Sequence, residues 1–213
     1  KQTEPANAML TRLSSFLRHT LVNEPGSKVT LSEEIETLRL YLDIERMRFE
    51  ERLRTEFRVE PEAAKGCLPS MLLQPLIENA IKYAVSSQEE GAQITVSAQL
   101  VGSRLRVTVS DTGPGLPNRG QATSLPEVSQ DRRTGISSTG VGLTNIRDRL
   151  AQAYGEDHRF EIRTPAEGGF TVVIEIPYET AEEQGQAAAS FEKPAASPSI
   201  THAGGATALG ITA

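Results

Sequence analysis

Three short runs hold residue types that suit a charged, nitrogen-bearing ligand. The first is Glu78-Asn79-Ala80-Ile81-Lys82-Tyr83, inside a strongly helical stretch. Asn79 and Lys82 stand three apart and share a helical face. An amide carbonyl is a hard oxygen ligand of the kind Mg²⁺ takes, and a lysine ammonium holds phosphate as a point charge. The same residues would equally make a solvated helix face. The second run is Asp111-Thr112-Gly113-Pro114-Gly115, directly after an alternating strand. A carboxylate at a strand end can accept a hydrogen bond from an exocyclic amine, such as the N6 of adenine. The two glycines let the backbone turn sharply and approach a ligand closely, although Asp, Gly and Pro are also ordinary turn residues. The third run, Gly140-Val141-Gly142-Leu143-Thr144-Asn145, opens a helix. Free N–H groups and the positive dipole end at such a position attract an anion. A merely flexible helix start would look the same.

The elements that must position these runs can be read from periodicity. Residues 6–22 carry Met9, Leu10, Leu13, Phe16, Leu17 and Leu21 at helical spacing. A turn cluster follows at Asn23–Lys28. Thr30-Leu31-Ser32-Glu33 has the pattern of a capping box. It opens a long helix running towards Leu53, with Ile35, Leu38, Tyr41, Leu42 and Met47 inward. Arg54–Glu60 alternates as a strand, Pro61–Pro69 reads as a loop, and Ser70–Val85 as a helix. Gln93–Val101 and Arg104–Ser110 form a hairpin across Gly102-Ser103. Leu116–Thr139 is polar, aperiodic and long for a connection. Gly142–Tyr154 is a helix, and Arg159–Arg163 and Phe170–Pro177 are strands. The expected fold class is α+β: a two-layer sandwich with a mixed, mostly antiparallel sheet and helices on one face, preceded by a helical hairpin.

Composition narrows the function classes. The 213 residues carry 22 Lys+Arg against 28 Asp+Glu, a net charge of −6, which argues against a nucleic-acid partner held by phosphate attraction. The apolar fraction of 38% is low, partly because residues 179–213 are mostly Ala, Gly, Ser, Thr, Pro and Glu. That stretch is expected to be a disordered tail. No apolar run is long enough to span a membrane as a helix. A single cysteine, Cys67, excludes an internal disulfide.

Taken in order, the three runs resemble the Asn box and two glycine boxes of the GHKL superfamily: gyrases, chaperones of the heat-shock class, mismatch-repair ATPases and histidine kinases. A narrower resemblance, over residues 9–178, is to LytS-type sensor histidine kinases. It rests on Thr30–Phe49, on Leu68–Tyr83 with its Leu73-Gln74-Pro75-Leu76-Ile77-Glu78-Asn79 run, on Gly142–Leu150 and on Ile174–Pro177. The resemblance implies a Bergerat ATP-binding fold over residues 54–178, a lid at about 116–139, and a partial dimerisation helix with a linker helix at 1–53. It implies ATP and Mg²⁺ as cofactors. The ATP-binding set would be Asn79, Lys82, Tyr83, Asp111, Gly113, Gly115, Gly140, Val141, Gly142, Leu143, Asn145 and Thr171, with Asn79 on the metal. Glu78 and Asn79 would be catalytic, Glu78 as a base or a holder of metal-bound water.

The implied activity is protein-histidine kinase. The implied partners are a phosphoacceptor-histidine segment, a response-regulator receiver domain and a second copy of the full-length protein. The implied location is a cytoplasmic domain of a membrane-bound sensor. Three departures qualify this. Tyr83 stands where the subfamily usually has His. Pro75 stands where hydrolytic relatives place a water-activating Glu, which fits a phosphotransferase that spares ATP from water. The acceptor run Asn-Pro-His-Phe-Leu-Phe-Asn has no match here. His19 lies in a segment like the helix after that run, where the family tends to have an aromatic. With a start at Lys1 rather than Met, the chain reads as a kinase cut just after its acceptor motif. A nucleotide-gated binding module without transfer activity, and a serine kinase of the anti-sigma type, are the alternatives. Among the arginines, Arg132 and Arg133 are candidate phosphate clamps, Arg119 reads as a solubilising charge and Arg149 as structural.

Overall fold

The computed structural model describes residues 27–115, 137–165 and 168–182. The expected helix at 6–22, the polar stretch at 116–136 and the tail from residue 183 lie outside the described residues.

A short strand β1 (Lys28–Thr30) leads into α1 (Leu31–Phe49). The capping box forms: Thr30 N–H donates to Glu33 Oε2 at 2.8 Å, and Glu33 N–H to Thr30 Oγ1 at 3.3 Å. A 3₁₀ turn (Glu50–Arg52) then gives way to β2 (Leu53–Val59) and, after a second such turn (Ala63–Lys65), to β3 (Cys67–Pro69). Helix α2 (Gln74–Ala80) continues into a π turn over Ile81–Val85. The hairpin β4 (Ala92–Val101) and β5 (Arg104–Asp111) follows, then α3 (Ser137–Tyr154), β6 (Arg159–Arg163) and β7 (Phe170–Pro177).

The main sheet has the order β2-β4-β5-β7-β6. Only the β2–β4 pair is parallel. One sheet face turns Ile94, Val96, Leu105, Val107, Val109, Val172, Ile174 and Ile176 into a core shared with Leu76, Ile77 and Ala80 of α2 and Leu143, Ile146 and Leu150 of α3. The other face is laced with ion pairs, among them Arg106–Glu175 at 2.7 Å and Arg163–Glu161 at 2.7 Å. The expected α+β sandwich, with its mostly antiparallel sheet and helices on one face, is therefore the fold observed. Gly102, at φ 61°, makes the two-residue hairpin turn between the paired Val101 and Arg104.

Four local expectations need correction. The helix expected from Ser70 starts at Gln74, because Pro75 has no N–H and belongs in a first turn. Met71 takes φ 56°, so Ser70–Leu73 is a turn. The helix expected from Gly142 starts at Ser137, so the last residues assigned to the lid are helical. Met47 does not face inward: it is 38% exposed, and Phe49 is buried instead. The stripe Leu31, Ile35, Leu38, Leu42, Phe49 keeps to one helix face, and Met47 falls well off it. Finally, β1 and β3 pair as a small antiparallel sheet where a turn and a loop were expected. Beyond β7 the chain stays anchored: Cys67 N–H donates to Glu179 O at 2.8 Å, and Lys28 pairs with Glu179 at 2.6 Å.

Candidate functional site

Asn79 sits in the second turn of α2, half-buried, on a helix whose Leu76, Ile77 and Ala80 are buried in the core. Its amide nitrogen Nδ2 is buried and has no hydrogen-bond partner among the described residues. A buried donor without an acceptor costs about 1–3 kcal/mol, so this N–H is open to an acceptor from beyond the described residues. The helix runs on as a π turn through Lys82 and Tyr83, an irregularity frequent at functional sites.

Asp111 ends β5, opposite Phe170 of β7. Its Oδ1 accepts the Gly113 N–H at 2.8 Å. Burial pushes its carboxyl above the usual range, with the Gly113 and Phe170 N–H groups pulling the other way. Gly113 is packed so tightly that a Cβ there would stand 2.4 Å from Ala84 Cβ. The glycine therefore brings the strand end into contact with the Asn79 helix. Gly115 follows at φ 72°, and a Cβ there would stand 3.0 Å from Gly169 O. Gly169 N–H donates to Gly113 O at 2.7 Å and closes the turn from the far side.

Gly142 lies in the second turn of α3. A Cβ at Gly142 would meet Asn79 Nδ2 at 3.5 Å. The Asn helix, the Asp-Gly turn and the Gly142 helix are thus brought together: Gly142 against Asn79, and Gly113 against Ala84 of the same α2 segment. Arg149 of α3 donates to Met71 O at 2.9 Å and also to Ser70 O, which makes it structural as expected.

The remaining expected residues are less uniform. Glu78 is exposed, accepts Gln74 Nε2 at 2.8 Å, and turns its charge towards Tyr41 on α1. Burial pushes the Tyr41 phenol up, and Glu45 and Glu78 add to it. Lys82 is exposed, with Nζ 4.9 Å from the Tyr83 ring centroid. Leu143 is part of the core, and Asn145 is exposed. Thr171 pairs with Ser110 in register, one residue from the Asp111–Phe170 pair. Gly140 and Val141 are helical residues of α3. Gly168 and Gly169 were not among the expected site residues, yet they close the Asp111 turn. The available signal was a glycine pair immediately before an alternating strand.

Compared with known proteins, residues 68–180 match the family of histidine kinase-, DNA gyrase B- and HSP90-like ATPases. The chain belongs to this ATPase family. Residues 1–53 match a second family, described as histidine kinase. The chain is 32% identical over 182 residues to the sensor protein LytS of Enterococcus faecalis, covering 85% of this chain and 30% of that protein. It is 33% identical over 176 residues to the sensor histidine kinase YesM of Bacillus subtilis, covering 83% and 28%. It thus spans under a third of the curated relatives it matches. Among solved structures, the nucleotide-free catalytic domain of histidine kinase ThkA aligns with TM-score 0.53 and 18% identity over 71% of this chain and 97% of that one, which supports the fold. This family member therefore carries an ATP-binding catalytic domain of the sensor histidine kinase type. No helix among its described residues is long and apolar enough to cross a membrane.

Proposed function

We propose that this chain binds Mg·ATP between α2, the β5 end and α3, and passes the γ-phosphoryl group to a histidine on a segment outside it. The observation that carries this reading is the meeting of Asn79 with Gly142 while Gly113 presses on the same helix segment. Asp111 accepts the adenine amine at a strand end whose backbone Gly113, Gly115, Gly168 and Gly169 keep open and close-packed. Asn79 supplies an amide at the phosphate end, where its unpartnered N–H fits an acceptor oxygen and its carbonyl fits Mg²⁺. Among the described residues no cluster of three or more His, Cys, Asp or Glu could hold a metal. When bound, the metal neutralises charge on the phosphate oxygens.

The protein's own part is positioning and electrostatics. Gly140 and Gly142, in the first turns of α3, allow the phosphate chain to lie close to the helix backbone. Lys82 and Tyr83 lie one turn beyond Asn79, and Val141, Leu143 and Asn145 flank Gly142 on α3, whereas Thr171, paired with Ser110, stands on the sheet face away from α2 and α3 and is not part of the site. In transfer, the bond from the γ-phosphorus to the bridging oxygen breaks, ADP leaves, and an imidazole nitrogen forms the new bond. Glu78, next to Asn79 in sequence, is the candidate to receive the imidazole proton. A helical acceptor segment, a receiver domain with a phosphorylatable aspartate, a second copy of the full-length protein and a membrane-bound sensor are the proposed company of this domain. Residues 1–53 serve as dimerisation helix and linker, and the expected tail begins after the anchored Glu179 and Thr180 rather than at 179.

The test supplies an acceptor-helix peptide containing the family histidine, with γ-labelled ATP and Mg²⁺. Transfer giving an acid-labile, base-stable phosphoryl bond is expected. Intact nucleotide binding with no transfer to histidine would favour the binding-module reading, and an acid-stable bond on serine would favour the anti-sigma type.

A further inference from the structure

Helix α2 is held at both ends by side chains from outside it, and both holders come from the α1 segment. At the start, Glu34 is 3% exposed although it is an acid in a first helical turn. Its carboxylate accepts Met71 N–H at 2.8 Å and Leu73 N–H at 2.9 Å. These are donors of the turn that launches α2, so the Glu34 carboxyl caps the N-terminal end of that helix. Burial tends to keep the Glu34 carboxyl protonated, while these N–H groups and Arg149 favour its charge. At the other end, Arg52, just past α1, donates to Val85 O at 3.1 Å and to Gln88 O at 2.6 Å. That places a cation on the carbonyls that close the π turn, the matching arrangement for a helix C-terminus.

Each end also touches a different part of the site. The Ser70–Met71 carbonyls bonded by Arg149 tie the Glu34 turn to α3, which carries Gly142 against Asn79. Ala84, beside the Val85 carbonyl held by Arg52, is the residue against which Gly113 is packed. Met71 holds φ 56° between the two contacts on its own peptide groups, Glu34 on its N–H and Arg149 on its carbonyl. A side chain with a Cβ takes that conformation at a cost, and the turn depends on these contacts to keep it.

We propose that Glu34 and Arg52 are positioning residues for the nucleotide site. Glu34 sets the Asn79–Gly142 approach at the metal and phosphate end. Arg52 sets the Ala84–Gly113 approach at the nucleoside end. A shift of the linker helix then changes how the domain holds phosphate. This rests on the reading of the site as one for Mg·ATP.

The test is calorimetric titration of the 213-residue chain with Mg·ATP and, separately, with adenosine. Glu34→Gln is expected to weaken Mg·ATP about tenfold while leaving adenosine within about twofold. Arg52→Gln is expected to weaken both ligands. Glu36→Gln, on an exposed face of α1, should change neither. Where Glu34→Gln does not fold, Glu34→Asp, which keeps the charge but draws it back, must give the same split. Glu34 variants that bind Mg·ATP like the parent, or that lose both ligands by one factor, would overturn the proposal while leaving the site reading intact. A parent chain that binds neither ligand would overturn both.

Discussion

The two ends of the site are built differently. Around Asp111 the backbone is closed on itself: Asp111 Oδ1 takes the Gly113 N–H, Gly113 O takes the Gly169 N–H, and glycines stand where a Cβ would collide. Around Asn79 the contact is looser. Gly142 leaves ordinary van der Waals room, and Asn79 Nδ2 has no partner among the described residues. The difference separates a preformed cradle, complete without ligand, from a surface that a ligand completes. In the proposed reading, the closed Asp111 end would take the base and fix where the nucleotide sits, and the open Asn79 end would let binding energy depend on what the phosphates carry.

Variants can pull these two ends apart. The largest effect belongs to Asp111→Asn, which replaces a charged acceptor by an amide. Loss of a hydrogen bond to a charged group is worth about 1.5–3 kcal/mol, so ATP affinity should fall by one to two orders of magnitude. The unliganded variant should melt no lower than the parent. Asp111 has a raised folded-state pKa, so its stabilising contribution is present at low pH and is lost as pH rises through that value. Nucleotide binding has the opposite sign: an amine donor favours the carboxylate, so affinity should fall as pH drops, starting above the usual aspartate range. Equal ATP affinity for the variant would break the assignment of this end to the base.

Gly113→Ala comes next. Its Cβ would meet Ala84 Cβ at 2.4 Å and the Ala84 backbone at 2.7 Å, an overpacking worth about 1–3 kcal/mol of stability. Denaturant unfolding should show it, with nucleotide binding weakened in parallel. Gly142→Ala should behave in the reverse way. Its Cβ fits, and replacing a helix-interior glycine gains about 0.5–1 kcal/mol, so the melting temperature rises while Mg·ATP binding weakens. A drop in both quantities would erase the contrast between the ends. Thr30→Ala removes the α1 cap and should cost about 1 kcal/mol. Adenosine binding should not respond.

Much of this layout is legible from the chain because the deciding interactions are local. The capping box at Thr30 and Glu33 needs only residues three apart, and the β4–β5 hairpin needs only alternation around Gly102-Ser103. The Asn79, Asp111 and Gly142 runs also announce their residue types, and the structure brings them together. What stayed hidden depends on distant partners. Glu33 and Glu34 look alike in a first helical turn, but only Glu34 is drawn into the interior, by N–H groups nearly forty residues on. Periodicity carries α2 back to Ser70, because Leu72 and Leu73 are as buried as helix residues. The turn at Met71 has its peptide groups held by Glu34 and Arg149, partners too distant in sequence for periodicity to reveal. Gly168 and Gly169 carry no signal of their own in sequence beyond a glycine pair before a strand, and their part at the site depends on the pairing of β7 beside Asp111.

The most direct test of the central claim is the Mg²⁺ dependence of ATP binding, measured by calorimetry on the parent chain and on Asn79→Ala, with adenosine as the reference ligand. The parent should bind ATP at least about tenfold more tightly with Mg²⁺ than without it. Asn79→Ala should lose that gain and keep adenosine affinity unchanged. A variant that retains the full Mg²⁺ gain, or that loses adenosine as strongly as ATP, would contradict the account.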